Sequence, residues 1–188
     1  MRKHKEIAKI AALGAAMAAT LAVGTSSPAT AGSTRDTEAA AHLRTRSADA
    51  VFKNVGSRLC IGVRGSATHS GADAVQGKCR PRDPSQRWVI RDVQRFSGLK
   101  WAQLKNKKSG LCLGVTRSST DSGAKLVQGN CQGTDDHTQY WHWTRRHAVF
   151  NGKSRLCVGI RGSSLKGGAK VIQGTCSGTP TQTWFVLI

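Results

Sequence analysis

The sequence predicts an all-β domain built from three pseudo-symmetric repeats and preceded by a removable leader. Three observations carry this. A unit of roughly 45 residues recurs three times after residue 50. Six cysteines fall into three pairs, each 19 residues apart. Short apolar runs alternate with Gly and Ser, and helical periodicity is absent.

The leader comes first. Met1 to Lys5 is basic, Ile10 to Val23 is apolar and Ala-rich, and Ala29-Thr30-Ala31 offers the small residues of a cleavage site. Residues 1–31 are therefore expected to be a secretory signal peptide, cut after Ala31. The apolar stretch falls short of the ~20 residues of a membrane span, so a released, extracellular product is expected rather than an anchored one. Residues 32–50 follow as a flexible N-terminal arm. They carry three bases and three acids. The helix-friendly run Thr37 to Arg44 falls below the ~12 to 15 residues at which an isolated helix is even marginal.

The repeats occupy residues 51–188, at about 51–98, 99–146 and 147–188. Copy one reads Ser57-Arg58-Leu59-Cys60-Ile61-Gly62-Val63; copy two Ser109-Gly110-Leu111-Cys112-Leu113-Gly114-Val115; copy three Ser154-Arg155-Leu156-Cys157-Val158-Gly159-Ile160. Each passes through Gly-Ala (Gly71-Ala72, Gly123-Ala124, Gly168-Ala169) to a second strand beginning at Val75-Gln76, Val127-Gln128 or Ile172-Gln173. Each closes on Gln-x-Trp: Gln86 and Trp88, Gln139 and Trp141, Gln182 and Trp184. In an exported chain the cysteines read as disulfides. Six cysteines allow 15 pairings, but equal spacing in every copy selects Cys60–Cys79, Cys112–Cys131 and Cys157–Cys176. No Cys-x-x-Cys occurs and no His keeps regular spacing from the cysteines, so no metal is expected. A single unit of this length cannot bury a core. Three packed about a pseudo-threefold axis can, with one Trp from each Gln-x-Trp in the shared centre.

This set of residues resembles the ricin B-type, Gln-x-Trp lectin family over residues 51–188. The resemblance implies a β-trefoil, with six strands closing a barrel and six capping it, and a non-catalytic sugar-binding role. It also implies where the sugar residues should stand, and there the sequence departs from the family. The Asp that accepts bonds from sugar hydroxyls is replaced by Gly62, Gly114 and Gly159. The stacking aromatic is replaced by Gly77, Gly129 and Gly174. The Asn before Gln-x-Trp gives way to Ser85, Thr138 and Thr181. What survives is skeleton, and the Gln of Gln-x-Trp is expected to bond backbone rather than ligand. Galactose sites are thus expected to be degenerate. Restoring Gly62→Asp with Gly77→Trp should recover affinity if the pocket is otherwise intact.

Catalysis finds little support. The one adjacent carboxylate pair, Asp135-Asp136, lies in a Gly-Thr loop where solvation is expected, no Gly-x-Ser-x-Gly occurs, and every cysteine is committed to a disulfide. No cofactor is expected. Charge says more: 29 Lys and Arg stand against 10 Asp and Glu, and all of the exported chain's net +16 lies beyond residue 50. Such a surface attracts anionic polymers. Arg64 and Arg161 stand two residues beyond the vacated Asp positions, and on a strand i and i+2 share a face. They are candidate ligand contacts, together with Lys125 and Lys170. A nucleic-acid partner is not expected, because the spare aromatics Trp101, Tyr140 and Trp143 form no interleaved basic stripe. Two functions remain: a secreted lectin-like module for a carbohydrate or anionic cell-surface polymer, or an adaptor subunit of a secreted assembly such as a toxin particle, using the trefoil and the arm. The sequence leaves the oligomeric state open.

Overall fold

The computed structural model describes residues 49–133 and 136–188. The expected signal peptide, the arm as far as residue 48, and Asp135 lie outside the described residues.

Twelve strands run through the described residues: β1 (Asp49–Asn54), β2 (Cys60–Val63), β3 (Ala74–Gly77), β4 (Trp88–Phe96), β5 (Leu99–Asn106), β6 (Cys112–Val115), β7 (Leu126–Gly129), β8 (Tyr140–Trp143), β9 (Val149–Asn151), β10 (Cys157–Ile160), β11 (Val171–Gly174) and β12 (Trp184–Leu187). Antiparallel pairings β12–β1, β1–β4, β4–β5, β5–β8 and β8–β9 make a barrel wall. An Ala148–Thr183 bridge and the bond from Trp184 N to His147 O close it. The hairpins β2–β3, β6–β7 and β10–β11 cap one end. This is the expected β-trefoil. The first strand starts two residues earlier than the sequence boundary suggested: Asp49 pairs with Val89 and Ala50 with Trp88. Asp-Ala reads locally as linker, but the Asp49 carboxylate is held by Arg87 at 2.7 Å and Lys107 at 2.5 Å.

Trp88, Trp141 and Trp184 are fully buried and meet Phe52, Leu104, Leu113, Leu126, Val158 and Val171 in one core. Each indole N–H needs an acceptor once buried. Each finds one in its own copy's first hairpin strand: Ile61 O at 3.3 Å, Leu113 O at 3.0 Å and Val158 O at 2.9 Å. The three disulfides pair as expected, each within one copy, with Cα atoms 4.9 to 5.1 Å apart.

A second glutamine in each copy stitches the copies together. Gln76, Gln128 and Gln173 are buried, and each accepts from the Ser before its own hairpin (Ser57, Ser109, Ser154) at 2.7 to 2.8 Å. Their amides donate outward, each to two carbonyls of a neighbouring copy: Gln76 to Ser164 and Lys166, Gln128 to Ala67 and His69, Gln173 to Ser119 and Asp121. The result is a cyclic ring of clamps about the pseudo-threefold axis.

Candidate functional site

The three positions where the family's sugar-binding Asp would stand lie on β2, β6 and β10, and all are buried. After each second Cys the chain passes through a loop into a 3-10 turn carrying the Gln of Gln-x-Trp. That Gln pins the loop. Gln86 Nε2 donates to Lys78 O at 2.9 Å and Oε1 accepts from Arg80 N at 2.8 Å. Gln139 does the same with Asn130 O and Gln132 N, and Gln182 with Thr175 O and Ser177 N. Both ends of the amide are spent on backbone.

This clamp fills the space a side chain would need. A Cβ on Gly62 would meet Gln86 Cγ at 2.8 Å, on Gly114 it would meet Gln139 Cγ at 2.9 Å, and on Gly159 Gln182 Cγ at 2.8 Å. The contact is with the middle of a side chain fixed at its far end by two hydrogen bonds, so a Cβ there requires the clamp to shift. The expected rescue by Gly62→Asp with Gly77→Trp would have to displace Gln86 at its first residue. At the stacking positions there is room, though Ser70 Oγ of the first copy would sit 3.6 Å from a Cβ on Gly129. An open cleft of about 400 Å³ remains beside Gly114 and Gly129, lined by Ser70, Thr116, Arg117, Ser118, Asn130 and Gln132.

The sequence candidates lie elsewhere. β2 ends at Val63, and Arg64 opens a 3-10 turn, so strand alternation no longer sets its direction. Its guanidinium donates to Gly168 O of the third copy at 3.1 Å. Arg161 repeats the pattern, donating to Gly123 O at 2.9 Å. Lys125 and Lys170 occupy the same repeat position as Asp73, and the axis brings all three together. Lys170 Nζ lies 3.2 Å from Asp73 Oδ2, Lys125 Nζ 3.0 Å from Oδ1, and Arg64 Nε 3.8 Å from Oδ2. Burial would raise the Asp73 carboxyl, but the two ammonium groups beside it outweigh that and hold it below the usual carboxylate range. Of the four candidates, three thus share one internal partner, and none lines the cleft in the second copy.

The post-cysteine loops share a backbone and differ in charge. The first holds Lys78, Arg80 and Arg82, all exposed, against Asp83. The second holds Asn130, Gln132 and Asp136, and the third Thr175, Ser177 and Thr179. Asp83 and Asp136 cap their turns, accepting from Ser85 N at 2.9 Å and Thr138 N at 3.1 Å. Hydrogen bonds from the Ser85 hydroxyl and N–H, aided by Arg80 and Lys108, hold Asp83 below its ordinary value. The Arg58 carbonyl lies 3.4 Å from Cys79 Sγ, so the backbone of this exposed base runs beside the loop. Arg80 and Lys108 thus act on one carboxylate that is already occupied, in a loop that also carries the exposed Lys78 and Arg82. In the sequence, Arg80-Pro81-Arg82 beside the second Cys is the signal for Lys78, Arg80 and Arg82, which are not among the expected ligand contacts. Among the described residues no group of His, Cys, Asp and Glu could hold a metal ion, and no helix is long and apolar enough to cross a membrane.

Comparison with known proteins agrees with the topology. A designed threefold-symmetric protein, ThreeFoil, superposes with a TM-score of 0.66 at 24% identity, covering 74% of this chain and 98% of that one. The exo-β-1,3-galactanase 1,3Gal43A from Clostridium thermocellum gives 0.69 at 22%, covering 77% and 31%. The C-half of an earthworm R-type lectin, solved with GalNAc, gives 0.59 at 12%, covering 73% and 96%. These likenesses show the fold. No curated protein matches the sequence. The model of the ricin-type β-trefoil lectin domain matches residues 48–184. With three Gln-x-Trp motifs, three in-copy disulfides and the barrel-and-cap topology in register, the chain belongs to the ricin-type β-trefoil lectin domain family.

Proposed function

We propose that the chain is a secreted, non-catalytic recognition module of lectin type whose ligand is an acidic glycan or anionic cell-surface polymer, held at the first copy's post-cysteine loop. The carrying observation is the run of exposed bases Lys78, Arg80 and Arg82 beside Asp83, with Lys108 also acting on that carboxylate, which is spent on Ser85. The blocked Gly62, Gly114 and Gly159 positions argue against neutral galactose at the family's usual place. Exposed charges act through a field that salt screens over ~8 Å at physiological ionic strength, so this reading carries a salt signature.

The alternative, an adaptor in a secreted assembly, draws support from Phe185, Leu187 and Ile188, which leave apolar surface exposed along and just beyond β12. One experiment separates the two. Intact protein and a variant lacking residues 32–48, which spares Asp49 and its ion pairs, are tested for retention on purified cell wall and for capture of secreted proteins. Retention that survives the deletion, fades with salt and falls in Arg80→Gln/Arg82→Gln supports the polymer reading. Salt-insensitive protein capture that needs the arm supports the adaptor. Recovery of the product from medium with Gly32 at its N-terminus tests secretion.

A further inference from the structure

The threefold symmetry breaks at the β4–β5 hairpin. Its strands have nine and eight residues, against four and three in the equivalent β8 and β9. The extra length leaves the barrel wall at a bulge between Arg91 and Gln94, where Asp92 adopts φ +47°. The bend is pinned: the Asp92 carboxylate accepts from the Tyr140 hydroxyl and from Gln94 Nε2. Trp101 Nε1 donates to Phe96 O at 3.0 Å, and the two rings stack at 4.7 Å. The projection is therefore a built feature, yet it leaves Val93 58% and Leu99 39% exposed.

Beside this hairpin, at the barrel end opposite the caps, lies a cleft of about 470 Å³. Its apolar wall is Ile90, Val93, Leu99, Ala102 and Trp143, and Arg95 and Lys100 also line it. Arg95 and Lys100 are cross-strand partners. Like charges directly opposite each other destabilise a hairpin. Among the described residues neither has a carboxylate within ion-pair distance, in a chain where Asp49 and Asp73 each gather two or more bases. The side chains lining the cleft supply cationic donors and no carboxylate or amide acceptor, and His142 Nδ1 is already engaged with Lys100 O. Sugar hydroxyls would find few partners there. A carboxylate on an alkyl chain would satisfy both halves of the lining.

We propose that this cleft binds a single-chain amphiphilic anion, a fatty-acid-like carboxylate, with its headgroup between Arg95 and Lys100 and its chain on Ile90, Val93, Leu99, Ala102 and Trp143. The site is separate from the polyanion patch of the first copy and does not depend on that reading. It accounts for two features at once: an uncompensated pair of facing cations and apolar side chains left in water by a rigid hairpin.

The test is calorimetric titration of the exported chain with decanoate below its micelle concentration, with acetate and decyltrimethylammonium as controls. The expected result is saturable binding of one decanoate and none of either control. Arg95→Gln/Lys100→Gln should weaken it at least tenfold, and Leu99→Asn several-fold, with melting temperatures close to the parent. Arg80→Gln/Arg82→Gln should leave it unchanged. Absence of saturable binding, equal binding of the cationic amphiphile, retention in the Arg95/Lys100 variant, or equal loss in the Arg80/Arg82 variant would each overturn the assignment.

Discussion

The three capping hairpins and the β4–β5 hairpin show opposite responses to repetition. In the caps every structural part recurs: the disulfide, the Gln-x-Trp clamp, the inter-copy glutamine, and an Asn (Asn54, Asn106, Asn151) that turns the chain into the Ser beside it. The copies differ where repetition would do harm. A position on the axis meets its own equivalents, so an identical ionised residue there would face two copies of itself. Asp73, Lys125 and Lys170 resolve this with one acid and two bases. The β4–β5 hairpin meets its equivalent, the β8–β9 hairpin, through the β5–β8 pairing and the bond from the Tyr140 hydroxyl to Asp92. Beyond the bulge its residues have no counterparts in β8–β9, and the divergence appears there as a cleft of its own. Backbone symmetry is kept in the caps, while charge at the axis and strand length at the β4–β5 hairpin diverge.

Breaking the shared clamps should have the largest effect. Gln128→Ala strands the Ser109 hydroxyl and the Ala67 and His69 carbonyls. At ~1 to 3 kcal/mol per stranded buried group, partly relieved by water, a loss of about 3 kcal/mol is expected in urea denaturation. Gln76→Ala and Gln173→Ala should match it, because the ring is cyclic. Three unequal losses would show that the copies are not energetically equivalent.

Next comes the axis. Asp73→Lys places three ammonium groups together and should cost about 2 kcal/mol. That is less than the loss of a fully buried pair, because the lysine side chains are 38% exposed. The same carboxylate governs acid stability. Its folded value is depressed, so its contribution is present above the ordinary carboxylate value near 4 and is lost as pH falls through the lower folded value. Asp73→Asn should flatten the fall in melting temperature below about pH 4. An unchanged acid limb would mean that Asp83, Asp92 and Asp136, also depressed, carry it.

Gly62→Asp should be milder, at ~1 to 2 kcal/mol of overpacking against Gln86, and should gain no lactose affinity. Tyr140→Phe should be smallest globally, ~1 kcal/mol, and should act on the β4–β5 hairpin alone. Burial and the Asp92 carboxylate push the Tyr140 hydroxyl up to about 12. The stability it adds is full below the ordinary value near 10 and is lost as pH rises towards 12. Hydrogen exchange should show Val93 to Trp101 loosening while the caps stay protected. Loosening of the caps instead would contradict the independence of the two regions.

Much of this architecture was legible in the sequence because it repeats. Equal spacing marked the cysteine pairs, and the same register marked Trp88, Trp141 and Trp184 as core. What a single copy cannot show is contact between copies. Asp73 meets residues 52 and 97 positions away, so its ring with Lys125 and Lys170 was invisible, and those lysines read as free. The inter-copy role of Gln76, Gln128 and Gln173 was hidden for the same reason, although a polar residue recurring at a strand centre is a signal. Arg64 was misplaced because strand alternation was carried past the end of β2. The crowding at the glycines needed coordinates: the sequence shows that the Asp is missing, and the structure shows that a Cβ there would press on Gln86, Gln139 or Gln182.

The central claim is that the galactose sites are closed and that charge at the first copy has taken over recognition. Titration calorimetry of the exported chain with lactose and with oligogalacturonate, at low and high salt, tests it most directly. The account predicts no heat with lactose at either salt. It predicts oligogalacturonate binding that weakens steeply as salt rises and is largely lost in Arg80→Gln/Arg82→Gln. Micromolar, salt-insensitive lactose binding, or no oligogalacturonate binding at low salt, would contradict it.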